Sequence, residues 1–279
     1  VNDRPEVDLK RTLLALTATL ATTLALTATA HAVPAWAPAD SATVHPGVMT
    51  FTEGSGQCTS NFVFYDGSNN VYIGQSAHCQ GTGAATDTNG CEAATLPVGT
   101  RVEVDGASQP GTIVYSSWVA MQDANESDAD TCAFNDFALV KLDPADYGKV
   151  NPSIPFWGGP TGLTDTVANL SDVLSYGNSS LRLGIEALSP KQGKQLTQDR
   201  GGWNHHVYTV TPGIPGDSGS AFIDDQGRAF GTLSTVQAAP APASNGVGDV
   251  SRELDYMASH GGPAVTLAQG TEPFTGSLP

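Results

Sequence analysis

The sequence predicts an all-β protein, built as two antiparallel β-barrels and followed by one C-terminal helix. Three observations carry that expectation. Short apolar segments recur between turn residues along the chain, the spacing of antiparallel barrels or a sandwich. Gly and Pro are plentiful, 31 and 18 of 279 residues, while charged residues make up only 14%. That balance favours strands and turns over long helices. Residues 151–162 hold Pro152, Pro155, Pro160 and Gly158, Gly159, Gly162. Such a stretch near the middle reads as a connector between two barrels of similar size.

Taken in order, residues 1–32 read as a signal-peptide region. Lys10-Arg11 precede an apolar run from Leu13 to Ala28, and Ala30-His31-Ala32 has the small-x-small form of a cleavage site. A membrane anchor is the competing reading, but the run is interrupted by threonines and is marginal for the ~20 residues a span needs. Residues 1–8 do not resemble a signal start. Residues 33–47, rich in Ala and Pro, read as a short extended lead or propeptide. The N-terminal barrel is assigned to 48–150, with strands at 61–65, 71–73, 101–104, 112–119 and 137–142. Asp123 to Asp130 is acidic but lacks the turn glycine and closing Glu of a calcium loop, so it reads as a solvated loop. The C-terminal barrel is assigned to 163–248, with strands starting at Val167 and spanning 181–188, 207–210, 221–223 and 229–236. Residues 249–261 form the expected helix: Asp249 caps it, Leu254 and Met257 share a face, and Gly261 stops it. The tail, 262–279, carries no strong signal.

The net charge of −16 argues against nucleic acid, which requires a basic patch. No cofactor and no metal-ligand set is expected. Cys58, Cys79, Cys91 and Cys132 all follow the cleavage site. An even count in an exported chain reads as two disulfides, with three pairings possible.

The densest motif is Gly216-Asp217-Ser218-Gly219. It could be a plain turn. A serine hydroxyl becomes a useful nucleophile only when a base removes its proton and backbone N–H groups receive the negative oxygen. Gly216 and Ser218 can supply those N–H groups. The base candidate is His78, in Ser76-Ala77-His78-Cys79, directly after an apolar strand. A Cys58–Cys79 bridge would clamp the base of that loop and hold the imidazole for proton transfer. The acid candidate is Asp136, immediately before the apolar run Phe137 to Leu142. A carboxylate buried there needs partners, and an imidazole N–H would be one. His45, His205, His206 and His260 sit in the lead, a polar loop and a helix end, and are weaker candidates.

Ser-Ala-His-Cys at 76–79, Asn-Asp-Phe-Ala-Leu at 135–139 and Gly-Asp-Ser-Gly-Ser at 216–220 resemble the three signatures of chymotrypsin-like serine proteases. Gly54-Ser-Gly-Gln-Cys58 is similar to the secreted bacterial branch. The resemblance implies two six-stranded barrels with a cleft between them. It implies a His78–Asp136–Ser218 triad, an oxyanion hole made by the N–H groups of Gly216 and Ser218, and an acyl-enzyme on Ser218. It also implies a substrate-binding strand at Ser234, Thr235 and Val236. The position that holds an Asp in trypsin-like enzymes is Pro212, and Leu233 stands where glutamate-specific relatives have a His. With Val236 narrowing the pocket, small or medium apolar residues are expected before the scissile bond. Two features depart from the family: there is no Ile-Val-Gly-Gly activation start, and no cysteine pair flanks the nucleophile loop, which leaves Cys91 and Cys132 for the second bridge. The partner of Asp217 stays open between a new α-amino group and a cation such as an arginine. The expected product is a secreted monomeric endopeptidase acting on proteins or peptides, without membrane association after cleavage. A catalytically silent protein-binding homologue and an esterase are the alternatives.

Overall fold

The computed structural model describes residues 33–84, 86–237 and 240–276. The expected signal region lies outside the described residues. The first half contains β1 (Met49–Thr52), β2 (Gln57–Thr59), β3 (Val63–Asp66), β4 (Val71–Gln75), β5 (Arg101–Val104), β6 (Gly111–Ser116), α1 (Ser117–Ala124), α2 (Ala129–Phe134) and β7 (Ala138–Lys141). The second contains β8 (Asp172–Tyr176), β9 (Pro190–Asp199), β10 (Asn204–Thr209), β11 (Ala221–Asp224), β12 (Ala229–Gln237) and β13 (Ser244–Asp249). The helix α3 (Val250–Ser259) and a last strand, β14 (Val265–Leu267), follow.

The second half closes as a six-stranded barrel in the order β10-β13-β12-β11-β8-β9, as expected. Its interior is filled by Val173, Val207, Phe222, Phe230, Leu233 and Val247. The first half differs from the expected closed six-stranded barrel. It is an eight-stranded antiparallel sheet in the order β14-β3-β4-β7-β6-β5-β1-β2, with no ladder joining its ends among the described residues. Two short additions explain this. The tail returns as β14 and pairs with β3, Leu267 opposite Phe64, and β2 pairs with β1 through a tight hairpin at the other edge. β5 shows the alternation that its sequence implied: Val102 and Val104 are buried while Arg101 and Glu103 are exposed.

Residues 33–47 pack with the first half instead of standing apart. Val44 lies in the same apolar cluster as Val102, Ile113 and Val140, and the Ala37 N–H donates to the Val150 carbonyl at 2.9 Å. Between the halves lies a shared core: Phe62, Phe137 and Leu139 meet Leu174, Ala221 and Ile223, with Ile154 and Trp157 of the connector among them. Val250 and Met257 of α3 join that cluster. This apolar seam fixes the two halves against each other, so loops from both sides can hold one site.

Several expected elements changed type. The expected strand at 112–119 ends at Ser116 and continues as α1. The acidic loop at Asp123–Asp130 contains the start of α2, where the Asp128 side chain accepts from the Thr131 N–H at 2.8 Å as an N-cap. Residues 181–188 form 3-10 turns with Leu181, Leu183, Ile185 and Leu188 exposed. The expected polar loop at His205-His206 is buried within β10.

Candidate active site

His78 sits in a 3-10 turn, Ala77–Gln80, directly after β4. The Cys58–Cys79 disulfide ties this turn to β2, with Cα atoms 6.1 Å apart. The Ser76 hydroxyl donates to the Leu233 carbonyl at 2.9 Å and pins the turn to the second barrel. Cys91–Cys132 is the second bridge and joins the loop before β5 to α2. In the chain-entropy picture, closing loops with separations of 21 and 41 residues contributes about 3 and about 4 kcal/mol. The sulfurs beside His78 are committed to the disulfide, so this cluster has no thiolate for a metal.

Asp136, between α2 and β7, is 3% exposed. One carboxylate oxygen faces His78 Nδ1 at 2.7 Å and accepts from the Ser234 hydroxyl at 2.6 Å. The other accepts from the His78 backbone N–H at 2.8 Å. Burial pushes the Asp136 pKa up, but the charge and hydrogen bonds of His78 and the Ser234 hydroxyl outweigh it and hold it below its ordinary value. For His78, burial alone lowers the pKa, and the Asp136 charge and hydrogen bond leave it raised. The pair therefore keeps Asp136 a carboxylate and favours a proton on the His78 ring, which Asp136 orients.

Ser218 lies in the loop between β10 and β11. The Thr59 N–H donates to the Ser218 carbonyl at 2.8 Å, and the Gly219 N–H donates to the Leu233 carbonyl at 2.7 Å. Gly219 has φ +89°, and a Cβ there would lie 2.3 Å from the Thr59 carbonyl oxygen. A side chain would therefore both strain the backbone and push the loop off β2. The N–H groups of Asp217, Gly219 and Ser220 all find backbone acceptors. Those of Gly216 and Ser218 have none among the described residues.

His78, Asp136 and Ser218 line one cleft of about 1150 Å³, together with Trp118 and Ser234 to Gln237. Among the described residues the Ser218 hydroxyl makes no hydrogen bond to the His78 ring. Catalytic hydrogen bonds in ligand-free sites are often long and tighten on substrate binding.

Thr235 and Val236 line the cleft, and Val236 is 54% exposed on its wall. Pro212 does not line it: its carbonyl turns toward Lys191 Nζ, 3.0 Å away. Asp217 is fully buried, and its partner is internal. The two terminal guanidinium nitrogens of Arg182 engage its two oxygens, and Lys191 Nζ lies 3.2 Å from Oδ2. The open choice between an α-amino group and an arginine is thus resolved toward Arg182. Burial, reinforced by Arg182 and opposed by Asp217, holds the Lys191 pKa below its ordinary value.

Sequence reasoning missed Arg182, Lys191, Trp118 and Glu253. Arg182 sits inside an apolar run, Leu181-Arg182-Leu183, where one charge is the only signal. Glu253 on α3 is fully buried, and its Oε1 accepts from the Asp136 N–H at 3.3 Å while Oε2 has no partner among the described residues. Burial first, then the nearby Asp136 and Asp249 charges, push the Glu253 pKa well up.

No protein-family model and no curated protein sequence matches the chain. Solved structures do. Protease A of Thermobifida fusca is 17% identical with a TM-score of 0.52, covering 81% of this chain and 99% of that one. The Nocardiopsis protease is 16% identical with a TM-score of 0.51, covering 80% of this chain and 98% of that one. The fold is that of the bacterial chymotrypsin-like serine proteases.

Proposed function

We propose that the chain is a secreted serine endopeptidase and that the eight-stranded sheet is the N-terminal barrel of its fold. The observation that carries this reading is the buried Asp136 carboxylate. It receives the His78 ring, the His78 backbone and the Ser234 hydroxyl at the edge of the cleft that Ser218 lines.

In this reading Asp136 holds the His78 proton on Nδ1 and leaves Nε2 free as the base. As Ser218 Oγ attacks the carbonyl carbon, its proton moves to Nε2, and the imidazolium is stabilised by Asp136. The carbonyl oxygen becomes negative between the N–H groups of Gly216 and Ser218, which have no competing acceptor among the described residues. His78 then returns the proton to the leaving amine, and the acyl group stays on Ser218. Water attacks the ester by the same proton route in reverse and frees the carboxylic acid.

The substrate lies along Ser234, Thr235 and Val236. Ile214, Leu233 and Val236 give the cleft an apolar wall, and the nearby Asp217 is neutralised by Arg182. Small or medium apolar side chains fit this wall before the scissile bond, and Ile214, Leu233 and Val236 offer no charge to pair with Lys, Arg or Glu.

A fluorophosphonate probe tests the assignment. One label per chain on Ser218, absent in Ser218→Ala, is expected. A folded chain that leaves Ser218 unlabelled would make it a binding module instead. An enzyme that turns over ester but not amide substrates would be an esterase.

A further inference from the structure

In the proposed mechanism the Gly216 N–H must point at one place, yet Gly216, as a glycine, does not fix its own backbone. Its φ is +97°, a conformation available to glycine at little cost and equally easy for glycine to leave. Something other than Gly216 itself has to hold the peptide. The N–H of Gly216 belongs to the Pro215–Gly216 peptide unit, which is planar and trans, so the N–H points opposite to the Pro215 carbonyl. Whatever grips that carbonyl aims the N–H.

The Ser179 hydroxyl grips it. Ser179 is fully buried, in the turn after β8, and donates to the Pro215 carbonyl at 2.6 Å. Its own oxygen is held in place by the Leu181 N–H at 3.1 Å. The next peptide is held as well. The Gly216 carbonyl accepts from Thr59 Oγ1 at 2.7 Å and from Gln57 Nε2 at 3.0 Å. Gln57 is itself fixed, since its Oε1 accepts from the Ser180 N–H at 3.0 Å and its Nε2 also donates to the Asn178 carbonyl at 3.1 Å. Both carbonyls that flank Gly216 are therefore tied down by side chains of β2 and the turn after β8. A Cβ on Gly216 would lie 2.2 Å from Gln57 Oε1, so the clamp and the glycine fit each other closely.

We propose that Ser179, with Gln57 and Thr59, is a positioning group that keeps the Gly216 N–H aimed as an oxyanion donor before substrate arrives. The inference rests on the triad reading above. None of the three residues touches the reacting atoms. Each acts by denying the loop an alternative in which the Pro215–Gly216 peptide turns over. Without the Ser179 hydroxyl, the Pro215 carbonyl loses the donor that favours its present orientation, and the turned-over peptide becomes competitive.

The test uses Ser179→Ala in the full chain, with Thr59→Val as a second variant in case the first does not fold. Removing an oxyanion donor outright costs about 10²–10³ in kcat. A donor that is only part-time aimed should cost less, so the expected fall in kcat on a peptide substrate is about 10-fold to 100-fold, with KM within about 2-fold. A purely structural role would not split kcat from KM in this way. A crystal structure of the variant is the second readout, with Gly216 expected to leave the positive-φ region and its N–H to turn away from Ser218. An unchanged peptide together with an unchanged kcat overturns the clamp. Absence of turnover by the wild-type chain strikes the endopeptidase reading instead, and the orientation of the Gly216 peptide in the variant still decides the clamp.

Discussion

Replacing Arg182 by Leu probes how the nucleophile loop is held. Asp217 is adjacent to Ser218 and fully buried, and Arg182 engages both of its oxygens. Arg182 also donates to the Gly177 carbonyl at 3.2 Å. Removing one partner of a buried ion pair costs about 3–5 kcal/mol, because the other charge stays buried. Here Lys191 remains 3.2 Å from Asp217, so the cost should sit near the lower end, about 3 kcal/mol. For a domain of this size each kcal/mol moves Tm by about 2–4 °C, which gives a fall of about 6–12 °C. Differential scanning calorimetry measures it, with peptide hydrolysis at a temperature where the variant is folded as the companion assay. Activity should fall too, because the Ile214 N–H that donates to Asp217 Oδ2 at 3.1 Å ties the carboxylate to the cleft wall. A variant with a Tm within about 2 °C of the wild type and full activity would refute the reasoning.

The remaining predictions concern protons and specificity. His78 must be neutral to act as base, and its pKa is raised above the ordinary 6.5, so kcat/KM should fall as pH drops through a value above 6.5. Asp136→Asn should lower kcat by about 10⁴, as the same change does in other Ser-His-Asp triads, and an unaltered pH–rate profile in that variant would count against the pairing. Glu253 is raised well above 4.5; the folded chain therefore keeps a proton that the unfolded chain releases, and stability drains away as pH rises from about 4.5 toward the folded value. Glu253→Gln has no proton to lose, so its Tm should gain on the wild type as pH rises above about 4.5; a difference that stays constant with pH would show that Glu253 does not titrate as argued. A peptide-library digest should show cleavage after small or medium apolar residues, and dominant cleavage after Lys, Arg or Glu would reject the apolar reading of the cleft wall.

What could be read from the residues divides along a physical line. His78, Asp136 and Ser218 each sit in a short local motif beside a strand, and local chemistry survives without knowing the fold. The strand alternation of β5 was legible because one face meets the core and the other meets water. β9 was not, because Lys191 and Gln195 point inward within an otherwise polar strand and are buried there. The pattern assumes that inward means apolar, and the Asp217 carboxylate reverses that rule for Lys191. The run Leu181 to Leu188 misled for the opposite reason: its apolar residues are exposed on 3-10 turns. α1 was hidden because only Ser116-Ser117 separate Trp118 and Val119 from the apolar run of β6, and only Trp118 and Met121 three residues apart hint at a helix face. The Asp217 partner was invisible in principle, since no spacing says which of several cations folds back 35 residues to reach it.

The most direct test of the central idea is a crystal structure of the chain with a peptidyl boronate ending in a small apolar residue. A covalent bond from boron to Ser218 Oγ is expected, with one boronate oxygen about 2.7–3.1 Å from the N–H groups of both Gly216 and Ser218 and His78 Nε2 within hydrogen-bond reach. A boronate bound without that bond, or with His78 turned away from Ser218, would contradict it.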